Sequence, residues 1–407
     1  MPEPTTLWGI VNGATYASDL ATAINQAQSD GYKTVYIPAS NTPYQLDYTK
    51  IIHINTDNFT LVGAGANSTI IEFSQTCDST CQCGIVVGKT SGQIQGVRLA
   101  DFTVQMSTTT GGTPYRLGGI YLKDCRGVMV ERVNAKNWNW NNTQAPGYGF
   151  QAINNGAGGN KPAGGIVFYQ CGCESTFYGI WLTGSSTYPM QRCSIINPYF
   201  NALDPNAQPQ VVTNSYGIYI QRAKGTLVFG GKFANYQYGV CIDSPTENET
   251  WQSQIFGAKF DTVTRGVWIA SGSEKTQVLG ATRSSDIDQV EDYGANNLLV
   301  THNVNLNPDT QKYQPDDLVL TQQHRSQFNE DANIFGTLDA AQLGGAGAGI
   351  RTYKVEGYGL SSSQFNTSYG NDTLNGFVGV YYNTQDQYHY LVAKSKDVWN
   401  YVKLYTI

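Results

Sequence analysis

Down the middle of the chain, glycine is repeatedly followed by alternating apolar residues. The unit reads GIVV from Gly84, GIYL from Gly119, GFQA from Gly149, GIWL from Gly179, GIYI from Gly217, GVCI from Gly239 and GVWI from Gly266. Successive glycines are 35, 30, 30, 38, 22 and 27 residues apart. A second apolar unit lies between them as SIINPYF (194–200), LVFGGKF (227–233) and QIFGAKF (254–260), with a degenerate copy QVLGATR (277–283). Alternation at period two marks a strand with one buried face. Two or three such strands per repeat, joined by polar turns, describe one coil of a solenoid. A single coil cannot bury its apolar face, so coils must stack about 4.8 Å apart and share one core. The pattern predicts eight to ten rungs. Glycine at each strand head suits either a corner at positive φ or a close backbone approach. A helical repeat is excluded, because glycine and β-branched residues at period two are poor helix formers.

The pattern changes at both ends. Residues 18–30, SDLATAINQAQSD, open on a Ser/Asp cap and place Leu20, Ala23, Ile24 and Ala27 on one helical face. Such a helix would cover the open edge of the first coil. KTVYIPAS and the alternating runs around 51–73 read as the first strands. Beyond 304 the rung pattern stops. Residues 305–349 are polar and end in LGGAGAG, a linker, and 350–407 alternate again in a Tyr-rich stretch read as a small, sandwich-like β domain. The expected organisation is therefore an arm and capping helix (1–45), a solenoid (46–304), a linker (305–349) and a C-terminal β domain (350–407). Two insertions stand out within the solenoid, 137–163 and 201–215, and loops on a rigid scaffold commonly carry function.

Composition agrees with stacked strands. Charged residues make up 14% of the 407, against about 25% in an ordinary domain, while glycine numbers 44 and aromatics reach 12%. Long charged chains repeating at every coil would repel one another, and glycine and short polar residues suit the corners. The net charge of −6 and the absence of a basic run argue against a nucleic-acid partner. No 18-residue apolar stretch exists to insert into a membrane. The start MPEPTTLWGI has neither a basic nor an apolar leader region, which favours a protein made in the cytosol over a secreted one. Cys77, Cys81 and Cys83 form a C-x3-C-x-C group with no histidine nearby, read as a disulfide or as buried thiols ahead of a zinc site.

The opening order is a helix with A-I-x-x-A, then TVYIP, then a strand, then FTLVGAGANSTII. It resembles the start of the pectate-lyase-like right-handed parallel β-helix superfamily, most of all the branch of bacteriophage tailspikes and polysaccharide depolymerases. The resemblance spans roughly 18–300 and departs from the family pattern at PASNTPYQL. It implies an all-β fold: a right-handed, single-stranded parallel β-helix with an N-terminal capping helix and a small C-terminal β domain that caps or trimerises the shaft. Function follows less closely, because this fold hosts lyases, hydrolases, epimerases and inert spikes.

Counting from each glycine, positions +1 and +3 point inward and +2 and +4 outward. The +2 column contains Tyr121, Trp181, Tyr219 and Trp268. Such an aromatic surface reads as a glycan groove, a subunit interface, or a face covered by the inserted loops. The +4 column contains Gln221 and Asp243, with Arg222 next to Gln221 and within expected salt-bridge reach of Asp243. Glycoside hydrolysis needs two carboxylates flanking the bond. Asp243 with Glu247 is the first candidate pair and Asp261 a third candidate, set against a structural Asp243–Arg222 pair and a solvated turn around Glu247 and Glu249. A uronate lyase would instead use a base such as Arg222 or Lys224. The acidic run DIDQVED offers Asp286, Asp288, Glu291 and Asp292 as calcium ligands, although its spacing matches no calcium loop; no other metal and no cofactor is expected. GAGANS (63–68) mimics a dinucleotide loop but leads into a strand, so it presents no helix N-terminus to a phosphate.

The leading expectation is a viral tailspike or receptor-binding protein on the virion surface. It would be a homotrimer attached to a virion tail that recognises and depolymerises a host surface polysaccharide. A secreted polysaccharide hydrolase or lyase, and a non-enzymatic structural or adhesive solenoid, are the alternatives.

Overall fold

Strands wind into a stack of parallel coils in a computed structural model of the chain. It describes residues 8–10, 20–47, 50–74, 83–107, 118–138, 147–156, 163–203, 210–244, 250–283, 290–294, 297–301, 304–305, 319–322, 355–357, 363, 365, 378–395 and 398–404. Two units are distinguished, Met1–Ser326 and Gln327–Ile407.

In the first unit each coil contributes one strand to each of three long sheets. Sheet 1 runs from Thr34–Ile37 to Leu298–Thr301, sheet 2 from Tyr44–Leu46 to Thr282–Arg283, and sheet 3 from Ile52–Ile54 to Val304–Asn305. Among the described residues nine coils have a strand in all three sheets, the first over 34–54 and the last over 277–292. A short fourth sheet, which includes Ala223–Lys224 and Thr250–Trp251, forms where the corner after sheet 3 is long enough. Trp8–Ile10 adds a parallel strand at one end of sheet 1, and Val319–Gln322 pairs antiparallel at the other.

The inward positions stack residue on residue. Val35, Leu61, Leu99, Val130, Phe168, Ile195, Val228, Ile255, Val278 and Leu299 form one unbroken inner column of sheet 1, all fully buried. Each such side chain contributes about 1.5–3 kcal/mol of burial, so stability comes from many equal small terms along the stack. Phe200, Phe233 and Phe260 form the matching column of sheet 2.

The corners and the glycines play different roles. The turn from sheet 1 to sheet 2 places Asp101, Arg132, Gln170, Asn197, Gly230, Gly257 and Gly280 in the left-handed region, with φ from 48° to 65°. The strand-head glycines do not turn corners; Gly84, Gly179, Gly217 and Gly239 stack under phenylalanines, Gly119 meets Trp138 and Gly149 meets Cys173. A side-chain carbon at Gly217 would lie 2.5 Å from the Gly239 carbonyl and 2.6 Å from the Phe233 ring. The close approach, one of the two reasons for glycine at these positions, is the operative one.

The helix Leu20–Ser29 covers the first coil, as expected, but through a shifted face: Leu20, Ala21, Ile24 and Gln28 are buried, and Ala23 and Ala27 only partly so. Gln28 explains the shift. Its amide donates to the His53 carbonyl at 2.8 Å and accepts from the Asn55 amide at 3.1 Å, satisfying the free edge of sheet 3. The expected Ser/Asp cap, at 18–19, lies outside the described residues.

Charges on the outer faces are mostly paired along columns. Glu131 accepts from Arg98 at 2.7 Å and from Arg132, which also binds Asp101 at 2.6 Å. Burial alone would raise the Glu131 carboxyl, but the two guanidinium groups outweigh it and hold the group below its ordinary value. A depressed carboxyl adds stability above its unfolded pKa and loses it as pH falls through the folded value. Glu131→Gln is therefore expected to lower the melting temperature at neutral pH but to converge on the parent between about pH 5 and 3. Parallel melting curves across that range would overturn this.

In the second unit the described strands form one four-stranded sheet. Val355–Gly357 lies parallel to Val378–Asn383, which continues antiparallel through Tyr388–Ser395 and Val398–Leu404. The expected sandwich is not seen among the described residues. Phe365 packs on Trp399, with ring centroids 5.5 Å apart.

Candidate functional site

The outward side of sheet 3 carries the chemistry. Its +2 column is confirmed in register as Val86, Tyr121, Gln151, Trp181, Tyr219, Cys241, Trp268 and Glu291. A second aromatic column runs beside it: Tyr148, Tyr178, Tyr216 and Tyr238, continued by Arg265. These tyrosines immediately precede the rung glycines, so the signal that could have found them is the recurring Tyr-Gly at the head of four units.

The two columns interlock. Tyr178 stacks on Trp181 with centroids 5.2 Å apart and lies 4.8 Å from Tyr216. Tyr216 lies 5.1 Å from Tyr219 and stacks on Tyr238 at 4.9 Å, 6° from parallel. Trp268 continues the strip 5.9 Å from Tyr238 and 6.3 Å from the exposed Tyr293. All except Tyr148 and Tyr293 are half-buried. Aromatic pairs at these separations add roughly 0.5–1.5 kcal/mol each beyond their burial, so the rings hold one another in place. Tyr121 is separated from the strip by Gln151, and its phenol is pushed up to about 12 by burial, helped by Cys83, Asp124 and Cys125.

Asp243 borders this strip. Its Oδ2 accepts from the Tyr219 hydroxyl and, at 3.0 Å, from Gln221 Nε2, and the Thr183 hydroxyl donates to Gln221 Oε1 at 3.3 Å. Gln221 is the register partner of Asp243, while Arg222 is one residue further on, at a corner with φ 50°. The Arg222 amide donates to Thr250 Oγ1 at 2.8 Å, and that hydroxyl donates to the Asp243 carbonyl at 2.6 Å. Burial first, and then the bond to Asp243, raise the Tyr219 phenol far above its ordinary value; Tyr178 is pushed up to about 12 by burial, then by Cys241 and Asp243. The Tyr178, Tyr216 and Tyr219 phenols are thus neutral hydrogen-bonding groups across the physiological range.

The other candidates are dispersed. Asp261 is on sheet 2, 3.1 Å from Lys232, so the structure does not bring it to Asp243. Glu247 and Glu249 lie outside the described residues, as do Asp286 and Asp288. Glu291 and Asp292 point to opposite sides of their strand. Glu291 meets Arg265 at 2.8 Å on the outer face, and Asp292 accepts from the Gly294 amide and Asn297 Nδ2, both at 2.8 Å. Among the described residues no three acidic, histidine or cysteine side chains gather as a metal would require. Cys83 meets the Tyr148 hydroxyl at 2.8 Å, and Cys77 and Cys81 are outside the described residues. A separate groove of about 480 Å³ opens over sheet 1, lined by Gly225, Gln252, Gln254, Lys275, Gln277 and Leu298, with no carboxylate.

Three parallel sheets sharing one core and a helix over the first coil define a right-handed parallel β-helix protein. Solved structures share this architecture. A DFA-IIIase from Arthrobacter chlorophenolicus A6 is similar at TM-score 0.51 and 13% identity, over 70% of this chain and 73% of that one. The ORF18 protein of Geobacillus virus E2 is similar at 0.49 and 15% identity, over 97% and 86%. The A-module of a mannuronan C-5 epimerase from Azotobacter vinelandii is similar at 0.46 and 15% identity, over 74% and 78%. No family model and no curated protein matches the chain. Among the described residues no helix is long and apolar enough to cross a membrane.

Proposed function

We propose that this protein is a viral tailspike or receptor-binding protein that holds a host surface polysaccharide on the outer face of sheet 3 and cleaves it there. The observation that carries this reading is the continuous, half-buried strip of rings from Tyr178 to Trp268 with the Asp243 carboxylate at its border. Flat aromatic faces stack on the apolar faces of sugar rings, and neutral phenols serve hydroxyl groups as donors and acceptors. The strip crosses four strands, about 14 Å at the strand spacing, room for a short run of sugar residues. In the reaction, Asp243 and Glu247 act as the two carboxylates, one protonating the leaving oxygen and the other activating water or attacking. Tyr121, Trp181, Tyr219, Arg222 and Trp268 line the path of the substrate. The same reading makes the protein a homotrimer on a virion.

Incubation with surface polysaccharides from candidate hosts tests it. The expected result is retention of the protein on one of them, with release of new reducing ends and no rise in the ultraviolet absorbance of unsaturated uronates. That absorbance rising with the reducing ends would replace hydrolysis with lysis. Retention on none of them would remove the reading, and light scattering showing a monomer would remove the trimer.

A further inference from the structure

We infer that the glycan taken by sheet 3 carries no acidic groups. The inference rests on the reading just given and names the substrate class of that face. Between Tyr148 and Tyr293, the outward positions of the described sheet 3 strands hold one cation, Arg265, and two carboxylates, Asp243 and Glu291, a net charge of −1. Arg265 is already committed: its Nε lies 2.8 Å from Glu291 Oε1, and its Nη1 donates to the Tyr238 hydroxyl at 2.6 Å. What remains is the Asp243 carboxylate, oriented by Tyr219 and Gln221.

Arg222, at the corner directly beyond Gln221, adds a cation at the end of this column and brings the balance to zero, and the other basic residues near Asp243 do not make it positive. Lys224 places its Nζ 4.9 Å over the ring of Trp251, on sheet 4 and away from the strip. Lys123 shares the outward column of Asp243 but is four strands away, about 19 Å at the strand spacing. A polyuronate would lay successive carboxylates along a half-buried surface that has no net positive charge to compensate them and ends on the Asp243 carboxylate, where repulsion is screened less than in water. The ring faces add to this bias, since their quadrupoles present negative charge to a ligand stacked on them. Arg265, seated 5.2 Å over Tyr238, shows the polarity that this face accepts. Sugar hydroxyls and ammonium groups, by contrast, meet a carboxylate and neutral phenols that accept their hydrogen bonds.

The test uses pairs of oligosaccharides with one backbone and two charge states: galacturonan oligomers and their methyl esters, and mannuronan and mannan oligomers, with glucosamine oligomers as a cationic arm. Binding to the full chain is read by tryptophan fluorescence at low and moderate salt. The expected result is that the uncharged member of a pair, or the glucosamine oligomer, binds at least tenfold more tightly than the acidic member. The gap should shrink with added salt and narrow by about two- to threefold in Asp243→Asn. An acidic oligomer binding as tightly as its uncharged counterpart, or more tightly, overturns the inference and leaves the glycan reading standing. Binding by no oligomer in any arm removes the glycan reading itself, and this inference with it.

Discussion

Replacing Gly217 with valine is expected to abolish cooperative unfolding of the coil stack, and replacing it with alanine to lower the melting temperature by several degrees. The cause is where the new side chain must go. Its first carbon would meet the Gly239 carbonyl at 2.5 Å and the fully buried Phe233 ring at 2.6 Å. The carbonyl cannot withdraw without breaking the sheet 3 ladder, and the ring is fixed between Phe200 and Phe260, with centroids 5.7 and 5.6 Å away. Overpacking a well-filled core costs about 1–3 kcal/mol even where neighbours can shift. Each kcal/mol lowers the melting temperature by about 2–4 °C in a domain of 150–250 residues. The contrast is Gly257, in the corner column with Asn197, where φ is 62° and nothing lies near a new side chain. Gly257→Asn should melt close to the parent, because asparagine tolerates that backbone region. Thermal unfolding followed by circular dichroism decides the matter: a Gly217→Val protein melting within a degree or two of the parent would refute this account of the glycine column.

How legible this molecule is in its sequence depends on what each feature requires. The coil, its direction and its inward positions follow from period two, because a strand has only two sides and the glycine marks which residue starts the count. The helix is legible from its apolar spacing, yet its buried face is not: Gln28 turns inward to serve a strand edge whose location depends on the whole first coil. The site divides in the same way. Tyr121, Trp181, Tyr219 and Trp268 lie in one outward column as the pattern predicts. Tyr178 and Tyr216 escape a scheme that numbers each rung forward from its glycine, although in space they pack against Trp181 and Tyr219. Asp243 and Arg222 look like a pair along the chain because they are one position out of register. The corner at Arg222 consumes that position, and Gln221 faces the carboxylate instead. Asp261 resembles Asp243 in sequence context, but it closes a strand of a different sheet. Which sheet a strand joins is a property of the stack and not of the seven residues around it.

In a preparation that cleaves its polysaccharide, Asp243→Asn is expected to lower kcat by about 10²–10⁴, the range for losing a general acid or base. The substitution is nearly isosteric, and its side chain can still accept the Tyr219 hydroxyl bond that now ends on Asp243 Oδ2. What it removes is the charge and the ability to take up or give up a proton. Retention on the polysaccharide should therefore persist, and circular dichroism should not change. Trp181→Ala should separate from it in the opposite sense. Trp181 packs 5.2 Å from Tyr178 and 6.2 Å from Tyr219, so its loss removes stacking surface and leaves the carboxylate in place. The expected result is KM raised about tenfold, equivalent to about 1.4 kcal/mol, with kcat within a fewfold of the parent. Tyr219→Phe tests the link between ring and carboxylate. It deletes one donor to Asp243 but keeps Gln221 3.0 Å away, so kcat should fall far less than in Asp243→Asn. Should Asp243→Asn retain turnover within tenfold of the parent, the carboxylate is a structural acceptor for Tyr219 and Gln221, and the reacting groups must be sought elsewhere in the chain.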